Sequence, residues 1–245
     1  MIPYAWGVSA RKSRYGDAVN RRVQRRRLGE RAAWRAEDWL RLVAPGRSFL
    51  DVGGMWGIHG NHSFTALAEG ATSATLVDLY ATPEFETRCE ASDGAVRFVP
   101  GEADSPDVLA AAGAHEVVWC WGVLYHHPNP HRLLESLQQV CTDVLVLESL
   151  TAPEVPGVPQ AAVYLPYLPD RLRGAFDTTR RGGASRQRGI STPFDRGLSY
   201  ANNFFALTPS AVRALLSSAG FTVTATYPSP SGVLRHVFLA EVQRA

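Results

Sequence analysis

Hydrophobic and polar positions follow two rhythms along most of this 245-residue chain, and the two alternate. Apolar runs of strand length stand at 48–52, 74–78, 95–99, 116–121 (Glu-Val-Val-Trp-Cys-Trp) and 143–148 (Asp-Val-Leu-Val-Leu-Glu). Between them the spacing predicts helices from about His59 to Glu69, closed by Gly70, near 83–91 and over 130–140. Upstream, Asp17 to Val43 reads as one or two helices, with Val19, Val23, Leu28, Trp34, Leu40 and Val43 as an irregular apolar stripe ended by Pro45-Gly46. Downstream, Thr208 is placed to cap a helix that begins at Pro209 and stops at Gly220. Two last strands, Phe221 to Tyr227 and Val233 to Val242, flank a Pro-Ser-Pro-Ser-Gly turn and can pair as a hairpin. Strands alternating with helices predict an α/β fold, a mostly parallel sheet covered on both faces, with ligands gathered at the carboxyl ends of the strands.

Residues 151–200 break the rhythm. They hold six of the sixteen prolines and seven arginines (171, 173, 180, 181, 186, 188 and 196) against four acids, a local charge of +3. A structureless loop of that length is improbable inside a compact domain, so a lid or substrate-binding insertion is expected, and its charge suits an anionic substrate. Charge is uneven elsewhere too. The net +2 conceals +8 in residues 1–47, twelve basic against four acidic, and −6 in the rest. Such an arm can meet nucleic acid, a phosphorylated substrate or an acidic partner, although a solvated Arg-rich helix face reads the same way. The expected organisation is therefore a basic helical arm or lid over 1–46 and one domain over 47–245 carrying the insertion 151–200. No run approaches the ~20 apolar residues that span a bilayer, and no export signal is evident, so a cytoplasmic protein without membrane contact is expected. Cys89, Cys120 and Cys141 lack metal-motif spacing and read as reduced, buried small hydrophobes.

Candidate chemistry starts at residues 49–57, Phe-Leu-Asp-Val-Gly-Gly-Met-Trp-Gly, where a strand runs into a glycine-rich turn led by an acid. Gly53, Gly54, Gly57 and Gly60 supply places where backbone can approach a ligand or take a positive φ. No G-x-G-x-x-G triplet can be drawn through them, which argues against a dinucleotide. Asp78, ending the strand Ala74-Thr-Leu-Val-Asp, stands where an acid grips ribose hydroxyls. Together they suggest a nucleoside cofactor.

Asp51, Gly53 and Gly57 resemble motif I of class I S-adenosylmethionine (SAM) methyltransferases, acid-x-Gly-x-Gly-x-Gly, with Met55 standing where the middle glycine is usual. Gly122-Val-Leu-Tyr-His-His-Pro-Asn-Pro resembles the segment after the fourth strand in that family, especially in the tRNA wobble-uridine carboxymethyltransferase branch and its bacterial small-molecule relatives. Phe205-Ala-Leu-Thr-Pro-Ser and Ala219-Gly-Phe extend the similarity over roughly residues 47–225. The resemblance implies a Rossmann-like seven-stranded, mostly parallel sheet with an antiparallel final strand and helices on both faces. It implies SAM as cofactor, bound by Asp51, Gly53, Gly54, Gly57 and Leu79 among others, with Gly53 against its methionine moiety. It also implies Asp78 at the ribose diol, Ala103 and Asp104 (with Glu102 competing) at adenine, and Trp121 and Tyr125 lining the pocket.

Chemistry fits these roles. A carboxylate can accept two hydrogen bonds from a diol or one from an exocyclic amine, and an aromatic face such as Trp56, Trp121 or Tyr125 stabilises a sulfonium cation. A hydroxyl acceptor also needs a base. His127 and His126 come first, with Tyr125 beside them, and His59, His62 and Glu148 follow. No metal is expected, because the histidines come from two separate turns. The reading is a methyltransferase for a small polar or anionic metabolite of bacterial secondary metabolism, with oxygen favoured over nitrogen or carbon as acceptor atom. The alternatives are a tRNA- or RNA-modifying methyltransferase and a catalytically silent cofactor-fold protein that binds a partner through its arm.

Overall fold

The computed structural model describes residues 35–169, 172, 176, 194–229, 231 and 234–243. The arm before residue 35 and most of the insertion's arginines lie outside them. So does most of the helical segment expected over 17–43, of which α1 (Ala36–Val43) is described. α1 buries Trp39, Leu40 and Val43 and so shares the domain core.

The repeating order is β1 (Ser48–Val52), α2 (Asn61–Ala68), β2 (Ser73–Asp78), α3 (Pro83–Glu90), β3 (Val96–Pro100), α4 (Pro106–Ala112) and β4 (His115–Trp121). A 3-10 turn (Leu124–His126), α5 (Pro130–Val140) and β5 (Cys141–Leu150) follow. After the insertion come α6 (Pro209–Ser218), β8 (Phe221–Pro228) and β9 (Arg235–Val242). The seven strands lie in the order β3-β2-β1-β4-β5-β9-β8, and β9 alone runs antiparallel to both its neighbours. The mostly parallel sheet is what the alternating pattern predicts, and the seven strands with an antiparallel final one are what the family resemblance implies.

Local chemistry sets the helix starts. Thr82, Asn129 and Thr208 each accept a hydrogen bond from a first-turn N–H and are each followed by proline, which has no N–H to leave unpaired. Both sheet faces are covered, so the inner strands are apolar on both sides. One face packs Leu50, Val52, Val118, Cys120, Leu145 and Leu147 against α4, α5 and α6. On the other, Leu76 and Ala74 meet Phe64 of α2 and Phe85 of α3.

Helix α4 and two short strands were not expected. Helix α4, Pro-Asp-Val-Leu-Ala-Ala-Ala, is too short and uniform to show an apolar stripe. The insertion contributes β6 (Ala162–Tyr164), which pairs with β7 (Phe205–Leu207) as a separate two-stranded sheet. It docks on the carboxyl edge of the main sheet, where Phe204 N donates to Tyr125 O (2.8 Å) and Ala152 N to Leu207 O (2.9 Å). Among the described residues, no helix is long and apolar enough to cross a membrane.

Candidate active site

The strand order reverses direction between β1 and β4, because the chain winds outward through β2 and β3 on one side and β5 on the other. At such a switch point the loops leave in opposite directions and open a crevice. Here the loop after β1 meets the turn after β4. Gly53 has φ +74°, and a Cβ there would lie 2.4 Å from Val123 Cγ2, so glycine is required by conformation and by space together. Gly57 and Gly60 also take positive φ.

Asp51 lies beneath this loop. A Cβ on Gly54 would fall 2.5 Å from the Asp51 Oδ2, which in turn accepts from Ser63 Oγ of α2 at 2.9 Å. Its Oδ1 is buried without a partner among the described residues, and burial pushes the carboxyl up to about 7 despite the Ser63 bond. Asp51 thus ties α2 to the loop from below.

Asp78, at the end of β2, holds the loop from the side. Its Oδ2 accepts from Met55 N at 2.9 Å and its Oδ1 from Leu79 N at 2.7 Å, and burial raises its pKa. Each oxygen takes one backbone N–H, which leaves lone pairs on the exposed side for further donors. Met55 occupies a glycine position without conflict: its φ is not positive, and its side chain is buried among Phe64, Leu76 and Phe85. It faces the core, away from the crevice. Leu79 is largely exposed beside Asp78, and Trp56 is 56% exposed.

The turn after β4 sends its three candidates in different directions. His126 donates from Nδ1 to the Asn202 carbonyl (2.7 Å), and burial lowers its pKa to about 4, so the ring is neutral with its lone pair on Nε2. His127 points toward the end of β3. Its Nδ1 contacts the Asn129 backbone and its ring stacks on Tyr200 at 5.5 Å. Its Nε2, buried without a hydrogen bond from the described residues, stands 3.6 Å from Asp104 Oδ2. The same Asp104 oxygen receives Arg132 Nε at 2.9 Å, while Ala103 packs against the apolar core. Glu102 accepts from the Tyr200 hydroxyl, whose pKa rises to about 12 through burial and then the neighbouring Glu102 and Asp104. Tyr125 meets Arg235, with NH1 3.2 Å from its hydroxyl and the guanidinium 4.8 Å from its ring centre.

The remaining candidates are committed elsewhere. His62 accepts from Trp119 Nε1 at 3.1 Å and is lowered to about 4 by burial. His59 Nδ1 bonds Thr82 at 3.0 Å. Glu148, 0% exposed, is clamped by Arg235 Nε and NH2 at 2.7 Å each and by Ser229 Oγ at 2.8 Å. Trp121 stacks on Trp119 at 4.8 Å and 6°, at the mouth of the same strand. Among the described residues, no group of three His, Cys, Asp or Glu could hold a metal ion. Sequence reasoning missed Ser63, Tyr200, Asn202 and Arg235, each of which meets its partner only through the tertiary fold.

No family model and no curated protein matches the sequence. Solved structures do. One is 1,6-didemethyltoxoflavin-N1-methyltransferase of Burkholderia thailandensis with bound 1,6-didemethyltoxoflavin and S-adenosylhomocysteine (17% identity, TM-score 0.58, covering 94% of this chain and 87% of that one). Another is magnesium protoporphyrin IX methyltransferase from Synechocystis PCC 6803 with bound S-adenosylhomocysteine (15%, TM-score 0.55, 94% and 97%). A third is an O-methyltransferase family protein from Burkholderia thailandensis (14%, TM-score 0.58, 94% and 59%). At these identities the likeness is one of fold, and the fold is the Rossmann-like one of class I methyltransferases.

Proposed function

We propose that this protein is a SAM-dependent methyltransferase that modifies a small polar or anionic metabolite. The observation that carries the reading is the crevice between β1 and β4: a glycine loop with no room for a Cβ at Gly53, fastened to the carboxylate that ends β2. These residues fit the cofactor. The loop admits a backbone-hugging ligand, Asp78 keeps lone pairs for a diol, and the unpartnered Asp51 Oδ1 lies beneath the same turn. Two of the solved structures with this fold hold S-adenosylhomocysteine, the form SAM takes after giving up its methyl group, and one also holds its small-molecule substrate.

SAM, when bound, supplies an electrophilic methyl on a sulfonium, and the protein's residues align the acceptor and keep water out. Gly53, Gly54 and Gly57 would hold its methionine end, Asp78 and Leu79 its ribose, and the segment 102–104 its adenine. Trp121 and Tyr125 would offer aromatic faces to the sulfonium. For an oxygen acceptor the geometry favours His126 over His127 as the proton acceptor. The Asn202 carbonyl fixes the His126 tautomer with Nε2 unprotonated, whereas His127 is enclosed with Asp104 and Tyr200. The test is calorimetry with S-adenosylhomocysteine followed by a methyl-transfer screen of small acceptors. Saturable one-to-one binding and transfer to a small molecule are expected; absence of binding overturns the reading.

The +8 arm supports a second reading, a tRNA-modifying methyltransferase. Phosphate contacts dominate such affinity at low salt. Absence of tRNA binding at low salt eliminates it.

A further inference from the structure

Glu148 is an expensive residue to place where it is. It lies fully buried at the carboxyl end of β5, beside Trp121 of β4 in register, and moving a carboxylate out of water carries a penalty of several kcal/mol unless a partner offsets it. Arg235 is that partner, held at two points. Cohesion between β5 and β9 does not need the pair, because their ladder runs unbroken from Val144–Glu241 to Leu150–Arg235. What the pair does provide is a guanidinium with one orientation.

That orientation decides the direction of a hydrogen bond. Arginine can only donate, so at 3.2 Å the Tyr125 oxygen accepts from Arg235 NH1 and cannot give its own proton back. The guanidinium lies over the ring as well, which fixes the ring plane. A Cβ on Gly122, the first residue past β4, would lie 3.8 Å from the Tyr125 hydroxyl and 3.4 Å from Arg235 NH2. Both groups therefore stand over the end of the central strand, at the crevice edge. Toward the described residues Arg235 uses three of its five N–H donors, which leaves one proton on each terminal nitrogen.

We propose that Arg235 is a positioning residue that turns the Tyr125 hydroxyl into a fixed hydrogen-bond donor for a carboxylate or carbonyl oxygen of the methyl acceptor. This rests on the methyltransferase reading and narrows its substrate class. An acceptor offering only donors in that position meets a hydroxyl proton and a guanidinium, and is rejected. Glu148 neutralises Arg235, so selection comes from donor geometry more than from net charge.

The probe is sodium benzoate, titrated into protein carrying tyrosine labelled with carbon-13 at the ring carbon bearing the hydroxyl. The Tyr125 signal is assigned by its loss in Tyr125→Phe. Benzoate is expected to shift that signal saturably. Tyr125→Phe should weaken benzoate roughly tenfold or more, the usual scale for a lost hydrogen bond to a charged group. Removing Arg235 alone would strand Glu148, so the pair is replaced together in Arg235→Met/Glu148→Met, an apolar exchange that buried ion pairs tolerate. That variant should fold with a similar unfolding temperature and still lose benzoate to the same extent. A Tyr125 signal unmoved by benzoate overturns the proposal, as does a folded double variant that binds benzoate like wild type. If the double variant does not fold, Tyr125→Phe alone decides: unchanged benzoate affinity overturns the proposal. S-adenosylhomocysteine calorimetry on the same samples reports separately on the methyltransferase reading.

Discussion

Asp78 carries one bond set the structure shows and one role that is proposed. Its carboxylate fastens the glycine loop through Met55 N–H, and the proposed function has it accept from a ribose diol. Asp78→Ala should weaken S-adenosylhomocysteine by about 1.5–3 kcal/mol, the scale of hydrogen bonds to a charged group. Unchanged affinity in calorimetry would remove Asp78 from the site. Gly53 is constrained more rigidly, since a side chain there adds a left-handed φ to a clash with Val123. Gly53→Ala should cost about 2–4 kcal/mol in urea unfolding. A loss within a few tenths would mean that the loop and the β4 turn yield easily. Met55 shows how a departure from a motif is absorbed: its φ is not positive, and its side chain packs among Phe64, Leu76 and Phe85.

The elements divide by whether their determinants are local. Strands β1 to β5 and helices α5 and α6 were legible because apolar period, an N-cap and a following proline all lie within one short window. Helix α4 and the β6–β7 pair were not, since seven uniform residues and two three-residue strands carry no period. The site divides the same way. The glycine loop and Asp78 sit at strand ends that the pattern locates, whereas the Glu148–Arg235 pair joins residues 87 positions apart in two apolar strands. Nor could sequence separate His126 from His127, because their directions follow from Asn202 and Asp104. At this scale Thr208 is the testable joint. It caps α6 through Ala211 N and also accepts from Ala161 N, which holds the start of β6. Thr208→Ala should lower stability by about 1–2 kcal/mol, with Thr208→Ser restoring most of it. Equal urea midpoints for all three proteins would refute the joint.

For the whole molecule, buried titratable groups shape stability against pH, and they oppose one another. His62 and His126 are held near 4, below the ordinary 6.5, so the unfolded chain takes up protons first as pH falls and stability is lost between those values. Each contributes up to roughly 3 kcal/mol of loss. Asp51, raised to about 7 from 3.8, works the other way: the folded state takes its proton first, so stability is gained as pH falls through 7 toward 3.8. Asp51→Asn deletes that offset and should make the decline from pH 6.5 to 4 steeper than in wild type by urea titration at each pH. A parallel decline would show that Asp51 ionises normally. Calorimetry of wild type and Asp78→Ala with S-adenosylhomocysteine is the most direct test of the methyltransferase reading. Saturable one-to-one binding by wild type is expected, weakened at least about tenfold in the variant. No binding by folded wild-type protein would contradict it.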